Sequence, residues 1–222
     1  MKLDAMSRRR FLAVAAAGGA GVAVGVGPIG GARAAVVPAG PARSQRSANG
    51  WPVLEHATPQ AIEGSGRTVR LAGGDAAVIL THVARRFHYE IDALRAGDVQ
   101  GHTTTLRHPQ PYETNYTSGS ALAIRPVAYP VGVKGGLYPA ELVVVQDILA
   151  ELDGVVAWGG DFSRPKESHF EIAYGPGDPR VRAVARRIGG WTQAPGGEGA
   201  GAVDAFDPRR RAKARAFARS RR

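Results

Sequence analysis

Cysteine is absent from this sequence of 222 residues. Its absence excludes disulfide bonds, thiol nucleophiles and cysteine-based metal sites. Compact metal-ligand pairs are also missing, because none of the six histidines occurs in a His-x-His pair. A folded domain in this chain must therefore be stabilised by the packing of its core, without disulfide crosslinks.

The N-terminus lacks the uninterrupted apolar run that is typical of a transmembrane anchor, the alternative reading of this segment. Residues 7–12 read S-R-R-R-F-L, and the apolar stretch over residues 12–29 is diluted by many glycines and contains a proline. Residues 32–34, A-R-A, form a small-x-small cleavage site. This order predicts a twin-arginine signal peptide over residues 1–34. We therefore expect an exported protein, extracellular or associated with the cell wall, without a transmembrane anchor.

Net positive charge is absent from the middle of the chain, although the whole sequence carries a net charge of +10. Residues 1–34 account for +4 and residues 207–222 for +7, which leaves −1 for residues 35–206. A nucleic-acid-binding domain spreads positive charge over a folded face, so no specific nucleic-acid partner is expected. The basic tail at residues 207–222 is expected either to contact anionic wall polymers or a lipid surface, or to be a solvated end without a partner.

Two stretches of linker composition divide the chain. Residues 35–50 are rich in proline, serine and small residues, and residues 192–206 are rich in glycine. No internal repeat occurs. These boundaries predict a single domain over residues 51–191, which is long enough to bury a core, and we expect a monomer.

Four short strands are predicted where apolar or alternating runs are bounded by turn residues. They lie at residues 67–72, 121–125, 155–158 and 169–174. Because they are short and separated by helical patterns, they predict an α+β fold with a small, mainly antiparallel sheet flanked by helices.

Three helices are predicted from apolar residues at spacings of three and four. The first begins with Asp75 as its N-cap, and the second runs from Pro139 to Gly154. The third begins at Pro179 and ends at Gly189.

Four segments carry the motif information, in this order along the chain: residues 87–92 (F-H-Y-E-I-D), 115–124 (N-Y-T-S-G-S-A-L-A-I), 158–162 (W-G-G-D-F) and 167–172 (E-S-H-F-E-I). Together they resemble the D-alanyl-D-alanine carboxypeptidase family, the VanY-like and related L-alanyl-D-glutamate zinc peptidases that cut peptidoglycan stem peptides. The resemblance covers residues 51–191 and implies the α+β fold of that family.

The family's chemistry implies a zinc ion held by His, Asp and His, with an open position for water and a catalytic carboxylate three residues before the second histidine. His169 matches that second histidine, whereas Tyr116, Ala123 and Lys166 stand at the places of the first histidine, the aspartate and the catalytic acid. Alanine cannot coordinate a metal, and a tyrosine binds one only as a phenolate, which is costly with a pKa near 10. The resemblance therefore implies a preserved fold with a degenerate site. No cofactor is expected, and zinc only with a non-standard ligand set.

Two routes to a working site remain open. Glu167 lies one residue from the position of the catalytic acid and could supply the base. His88, His102 or His108, which precede the second motif segment, could rebuild a metal site with His169.

Two residues have both a functional and a structural interpretation. Arg107 lies near the place where the family has a substrate-binding arginine, and the alternative is a surface arginine. His169 lies at a family ligand position, but in an alternating strand it would share one face with Glu167 and Glu171. On that interpretation it is a polar strand residue paired with a carboxylate.

The sequence thus supports three functional hypotheses. The first is a cell-wall-associated protein of the carboxypeptidase type, catalytically degenerate, that binds peptidoglycan or a wall partner. The second is an active zinc-dependent peptidoglycan peptidase with an atypical ligand set. The third is a surface protein whose basic tail binds while the domain serves as a scaffold.

Overall fold

The computed structural model describes residues 45–106, 110–193 and 203–220, and the side chains of residues 192 and 193 are not described. The predicted signal peptide, most of the first linker, and Arg107 and His108 lie outside the described residues. Among the residues that are described, no helix is long and apolar enough to cross a membrane.

Within the described ranges, six short strands form two antiparallel sheets, which agrees with the predicted α+β class. A hairpin pairs the first two strands, and the other four form a sheet in the order β3-β4-β6-β5. The strands are β1 (Thr58–Ile62), β2 (Arg67–Leu71), β3 (Val99–Gln100), β4 (Ala121–Ile124), β5 (Val156–Trp158) and β6 (His169–Ile172). All four predicted strands are present, whereas β1 and β3 were not predicted.

Five α-helices flank these sheets in the described part of the chain. They are α1 (Asp75–Glu90), α2 (Thr114–Thr117), α3 (Pro139–Glu151), α4 (Pro179–Gln193) and α5 (Pro208–Ser220). The three predicted helices correspond to α1, α3 and α4. Single 3₁₀ turns lie at Pro111–Glu113 and Gly159–Asp161.

Three predicted helix boundaries are wrong. Asp75 is the first residue of α1, and Gly74 before it occupies the N-cap without a side-chain hydrogen bond. Helix α3 ends at Glu151, three residues before Gly154. Helix α4 continues past Gly189 to Gln193, where Trp191 packs against the core.

The two faces of the four-stranded sheet have different environments. Leu122 of β4 pairs with Phe170 of β6, and both belong to the main apolar core together with buried residues of α1 and α3. The next pair, Ala123 and His169, points to the opposite face because successive strand residues alternate. The core thus occupies one face of the sheet and leaves the other for polar groups.

The domain begins earlier than residue 51, so the predicted first linker is too long. Arg46 forms an isolated bridge with Pro52, and Ser47 is buried. The Asn49 side chain donates hydrogen bonds to Ser120 Oγ (2.7 Å) and to the Ile172 carbonyl (2.9 Å). Composition suggested a linker, but these polar side chains are partners for the ends of β4 and β6.

A buried group of charged side chains joins α1, α3 and α5. Arg86 of α1 is fully buried and contacts Asp147 Oδ2 at 2.8 Å and Glu151 Oε2 at 3.0 Å, both on α3. Arg210 of α5 reaches the same two carboxylates, with Nη2 2.6 Å from Asp147 Oδ2 and 3.0 Å from Glu151 Oε1. His82 Nε2 lies 2.8 Å from Glu151 Oε2. The basic tail is therefore docked on the domain through one of its arginines.

Burial alone would raise the pKa of Glu151, but the hydrogen bond with His82 and the charge of Arg86 outweigh it and lower the pKa to about 2. The pKa of His82 is lowered below 6.5, mainly because its ring is buried. A neutral His82 donates from Nε2 to an ionised Glu151, so the group contains two arginines and paired carboxylates at neutral pH.

We expect Arg210→Ala to lower the free energy of unfolding by about 2 kcal/mol, because buried Asp147 and Glu151 would lose a charged hydrogen-bond donor. Arg209→Ala is the matched control, since Arg209 is exposed on the same helix turn, and its effect should be within about 0.5 kcal/mol. Urea unfolding at pH 7 measures both values. Equal stability of the two variants would show that the contact between Arg210 and α3 contributes nothing.

Candidate binding site around His169

The β4–β6 pairing brings together the four positions that the motif resemblance singled out. Ala123 lies directly opposite His169 in the register. Tyr116, from the short helix before β4, places its hydroxyl 2.6 Å from His169 Nδ1. The Nζ atom of Lys166 lies 4.6 Å from the centre of the Tyr116 ring.

A tight turn before β4 makes this approach possible. Gly119 has φ +66°, in the left-handed region, and a Cβ atom there would lie 2.5 Å from the Ala72 backbone nitrogen. The Ala72 N–H donates to the Gly119 carbonyl at 2.9 Å. Ser118 has its hydroxyl occupied by the Asn115 carbonyl (2.9 Å) and by Ser120 Oγ (2.8 Å). The turn thus has a structural role, because it orients Tyr116.

His169 is the centre of a continuous hydrogen-bonded chain. Its ring is fully buried, with Nδ1 against the Tyr116 hydroxyl and Nε2 2.7 Å from Glu171 Oε2. The Asn115 side-chain amide donates to the same Glu171 oxygen at 2.6 Å, and its own oxygen accepts from the Asn49 N–H at 3.0 Å. Both ring nitrogens of His169 are therefore engaged within the protein.

The protonation states follow from burial. Burial lowers the pKa of His169 below 6.5, against the opposing effect of Glu171. Burial also raises the pKa of Tyr116 well above 10, and the nearby charges of Glu113 and Glu171 act in the same direction. At neutral pH the Tyr116 hydroxyl thus donates to Nδ1 of a neutral imidazole, whose Nε2–H donates to Glu171.

Aromatic rings enclose the imidazole. The ring centres of Tyr112, Tyr116 and Phe162 lie 4.9, 5.2 and 5.7 Å from that of His169. Phe162 follows the W-G-G-D turn, where Gly159 is required because a Cβ atom would lie 2.3 Å from the Lys166 carbonyl oxygen and 2.9 Å from His169 Cβ. The close approach of this turn places Phe162 over the histidine.

Lys166 forms a buried ion pair beside this chain. Its Nζ atom lies 2.7 Å from Glu113 Oε1, and both side chains are less than a tenth exposed. The pair lies over the Tyr116 ring, which adds a cation–π contact. A buried ammonium needs such partners, because leaving it unpaired would cost several kcal/mol.

Glu167 does not take the position that the sequence suggested. Its carboxylate accepts hydrogen bonds from the backbone N–H groups of Gly135 (2.7 Å), Gly136 (2.8 Å) and Leu137 (3.2 Å). The expected common face with His169 fails because β6 begins only at His169, so alternation does not extend back to Glu167. Glu167 anchors the loop before α3, while the predicted pairing of His169 with Glu171 is present.

His88 and His102 make their hydrogen bonds elsewhere and do not reach this chain. His88 Nδ1 accepts from the Leu94 N–H at 2.9 Å, and His102 Nε2 lies 2.8 Å from the Leu54 carbonyl oxygen. Arg107 and His108 lie outside the described residues.

The donor set does not fit the family's zinc ion. Ala123 offers no donor atom, Tyr116 is held in its protonated form, and both nitrogens of His169 are already hydrogen-bonded. Over the described ranges, no group of three or more His, Asp or Glu side chains is arranged to hold a metal ion. The arrangement provides hydrogen bonds and an ion pair in place of metal ligands.

A cleft of about 530 Å³ opens above the ion pair. Buried Glu113, Tyr116 and Lys166 form its floor, and the exposed side chains of Val127 and Arg164 lie at its rim. The floor offers the Lys166 ammonium group, which has three N–H donors, of which Glu113 accepts one. The cleft can therefore bind a ligand that combines an acceptor group with an apolar part.

Comparison with known proteins adds no relatives, since no protein-family model, curated protein or solved structure matches this chain.

Sequence reasoning missed Glu113 and Tyr112. Glu113 precedes Tyr116 by three residues, about one helical turn, and pairs with Lys166, whose burial only the structure shows. Without that burial, nothing in the sequence indicated a carboxylate partner. Tyr112 gave no sequence signal, because only the fold places it on His169.

We expect Tyr116→Phe to lower the free energy of unfolding by about 1–3 kcal/mol, since His169 Nδ1 would be left as a buried acceptor without a donor. Tyr112→Phe is the control, because that ring also packs on His169 but its hydroxyl makes only a 3.5 Å contact. Chemical denaturation compares the two. Similar small losses would mean that the hydroxyl of Tyr116 does not support the imidazole.

Proposed function

We propose that this protein is an exported, cell-wall-associated member of the D-alanyl-D-alanine carboxypeptidase type that has lost zinc catalysis and binds peptidoglycan peptides in the cleft above Lys166. One observation carries the proposal. Four positions chosen from the motif alone, at residues 116, 123, 166 and 169, meet at one place in the fold.

This convergence is informative because the positions come from separate segments. Residues 116 and 123 are seven apart, and a gap of more than forty residues separates them from 166 and 169. An arbitrary choice of four such positions would scatter over the domain. Their meeting supports the carboxypeptidase alignment, and with it the family fold and the peptidoglycan ligand.

The chemistry of the cluster supports binding without hydrolysis. Lys166 stands where the family has its catalytic carboxylate, and as an ammonium paired with Glu113 it cannot accept a proton from water. The carboxylate of Glu167 is occupied by three backbone donors. A ligand in the cleft meets the Lys166 donors and apolar walls, which are sufficient for recognition.

The alternative of an active zinc peptidase requires a ligand set that the described residues do not provide. The scaffold hypothesis predicts that the cleft binds nothing. Measurements on the cleft and on the metal content separate the three hypotheses.

Binding to the cleft can be tested with soluble peptidoglycan fragments and the protein from residue 35 onward. We expect Val127→Glu to weaken binding about tenfold, because a carboxylate at the rim replaces an apolar contact and requires desolvation. Val133→Glu is the control, since Val133 is also exposed and does not line the cleft. Titration calorimetry gives both affinities.

Equal affinities of the two variants would contradict a ligand in this cleft. Complete loss of binding in the variant Arg211→Gln/Arg215→Gln/Arg219→Gln, which keeps Arg210 and the packing of α5, would favour the scaffold hypothesis. Hydrolysis of the fragments by the wild-type protein with one equivalent of bound zinc would instead establish the peptidase.

The alignment itself can be tested by restoring the family residues. Tyr116→His, Ala123→Asp and Lys166→Asp together should create zinc binding near one equivalent, because Ala123 lies opposite His169 and residue 116 contacts its ring. The double variant Tyr116→His/Ala123→Asp keeps the Lys166–Glu113 pair and serves if the triple variant does not fold. A folded variant that binds no zinc after dialysis against the ion would contradict the alignment with the carboxypeptidase family.

A further inference from the structure

The helix α5 has two faces with different roles. Arg210, Ala214 and Phe217 lie on the inner face, where Arg210 contacts α3, Ala214 is buried and Phe217 packs on the core. Arg211, Arg215 and Arg219 follow at intervals of four residues, which places them along a second, adjacent stripe. Arg215 and Arg219 are exposed and Arg211 is partly exposed.

Among the described residues, no carboxylate forms a salt bridge with Arg211, Arg215 or Arg219, and α5 contains no Asp or Glu. Asp207, four residues before Arg211, accepts instead from the backbone N–H groups of Arg209 (2.8 Å) and Arg210 (3.1 Å). Like charges four residues apart destabilise a helix by about 0.2–0.5 kcal/mol per pair. The helix forms despite this repulsion because its inner face is docked, so the stripe is held in place with its charge unneutralised.

The spacing of the three arginines and the chemistry of their guanidinium groups favour a linear polyanion as the ligand of the stripe. Four residues of α-helix span about 6 Å, so the three guanidinium groups can be presented over about 12 Å along one line. Arginine binds phosphate oxygens through two parallel N–H donors. A flexible polyol-phosphate chain can place successive phosphodiesters along such a line.

Two other polyanionic surfaces fit less well. A membrane-binding amphipathic helix inserts its apolar face into the lipid, but the apolar face of α5 is buried against the domain. A nucleic-acid site combines basic residues with exposed aromatic or groove-reading side chains, but the single aromatic residue of α5, Phe217, lies on the inner face and packs on the core.

We infer that the stripe of Arg211, Arg215 and Arg219 is a docking surface for a linear phosphodiester polymer of the cell wall, with a polyol-phosphate backbone. This surface is separate from the cleft above Lys166 and does not require a ligand in that cleft, although a cell-wall occupant rests on the proposed export of the protein. Arg210 acts as a positioning residue, because it docks the helix that presents the stripe.

The test uses the protein from residue 35 onward and a soluble poly(glycerol phosphate) chain. We expect Arg211→Gln/Arg215→Gln/Arg219→Gln to weaken binding about tenfold or more and to reduce the slope of log affinity against log salt by about 2, as expected for three lost phosphate contacts. The control Arg95→Gln/Lys134→Gln/Arg182→Gln removes the same charge from exposed sites elsewhere and should change affinity less than about threefold.

Equal losses in the two triple variants would overturn the inference, because they would show only a diffuse response to net charge. Unchanged binding in the stripe variant would overturn it as well. A further outcome is that the protein binds a duplex DNA or phosphatidylglycerol vesicles more tightly than the polymer and loses that binding in the stripe variant. That result would show that the polymer is not the ligand of the stripe. Thermal unfolding checks that α5 stays docked in the stripe variant. Val127→Glu, which alters the cleft, should leave polymer binding unchanged, so that the proposal for the stripe and the proposal for the cleft can fail independently.

Discussion

The antiparallel pairing of β4 with β6 is the constraint on which the rest of this structure depends. Its register sets Leu122 against Phe170 on the core face and Ala123 against His169 on the other face. A shift of one residue would exchange the two faces, burying His169 in the apolar core and exposing Phe170. The register also fixes where the His169 ring lies, and the turn at Gly119 allows the Tyr116 hydroxyl to approach within 2.6 Å of its Nδ1 atom. The candidate site is therefore a consequence of strand pairing more than of any single side chain.

Burial then dictates the chemistry at His169. A buried polar group must find a partner, and the chain from Tyr116 through His169 and Glu171 to Asn115 satisfies each member in turn. Such a chain orders the cluster strongly, because Tyr116 donates to His169, and Glu171 accepts from both His169 and Asn115, within one low-dielectric region. The same reasoning applies to Lys166 and Glu113, each of which would be costly alone. The result is a polar cluster beneath a cleft, in which the members are hydrogen-bonded or ion-paired with one another.

Much of the secondary structure was predictable, and most of the side-chain partnerships were not. The apolar spacing of α1 and α3 and the runs that became β4 and β6 depend on local order, so sequence alone located them. Glu167 shows the limit, since its expected position assumed that strand alternation began two residues early. Residues 45–50 show a second limit, because linker composition also suits a segment that caps the ends of strands. The basic tail is a third case: its net charge was evident, but the division into a docking arginine and an exposed stripe was not.

The sequence by itself indicated the class of fold, most of the helical and extended segments, and the four motif positions to be compared with those of the family it resembles. The segments follow from the local periodicity of apolar residues, and the motif positions follow from residue identity. Neither depends on how the chain packs in three dimensions. Only the tertiary structure decided that Tyr116 and Glu171 hold His169, that Glu113 neutralises Lys166, and that Arg210 reaches Asp147. The physical reason is that each partnership joins a side chain to one of several chemically equivalent candidates. Strand register and helix packing select among them, and both depend on the whole core.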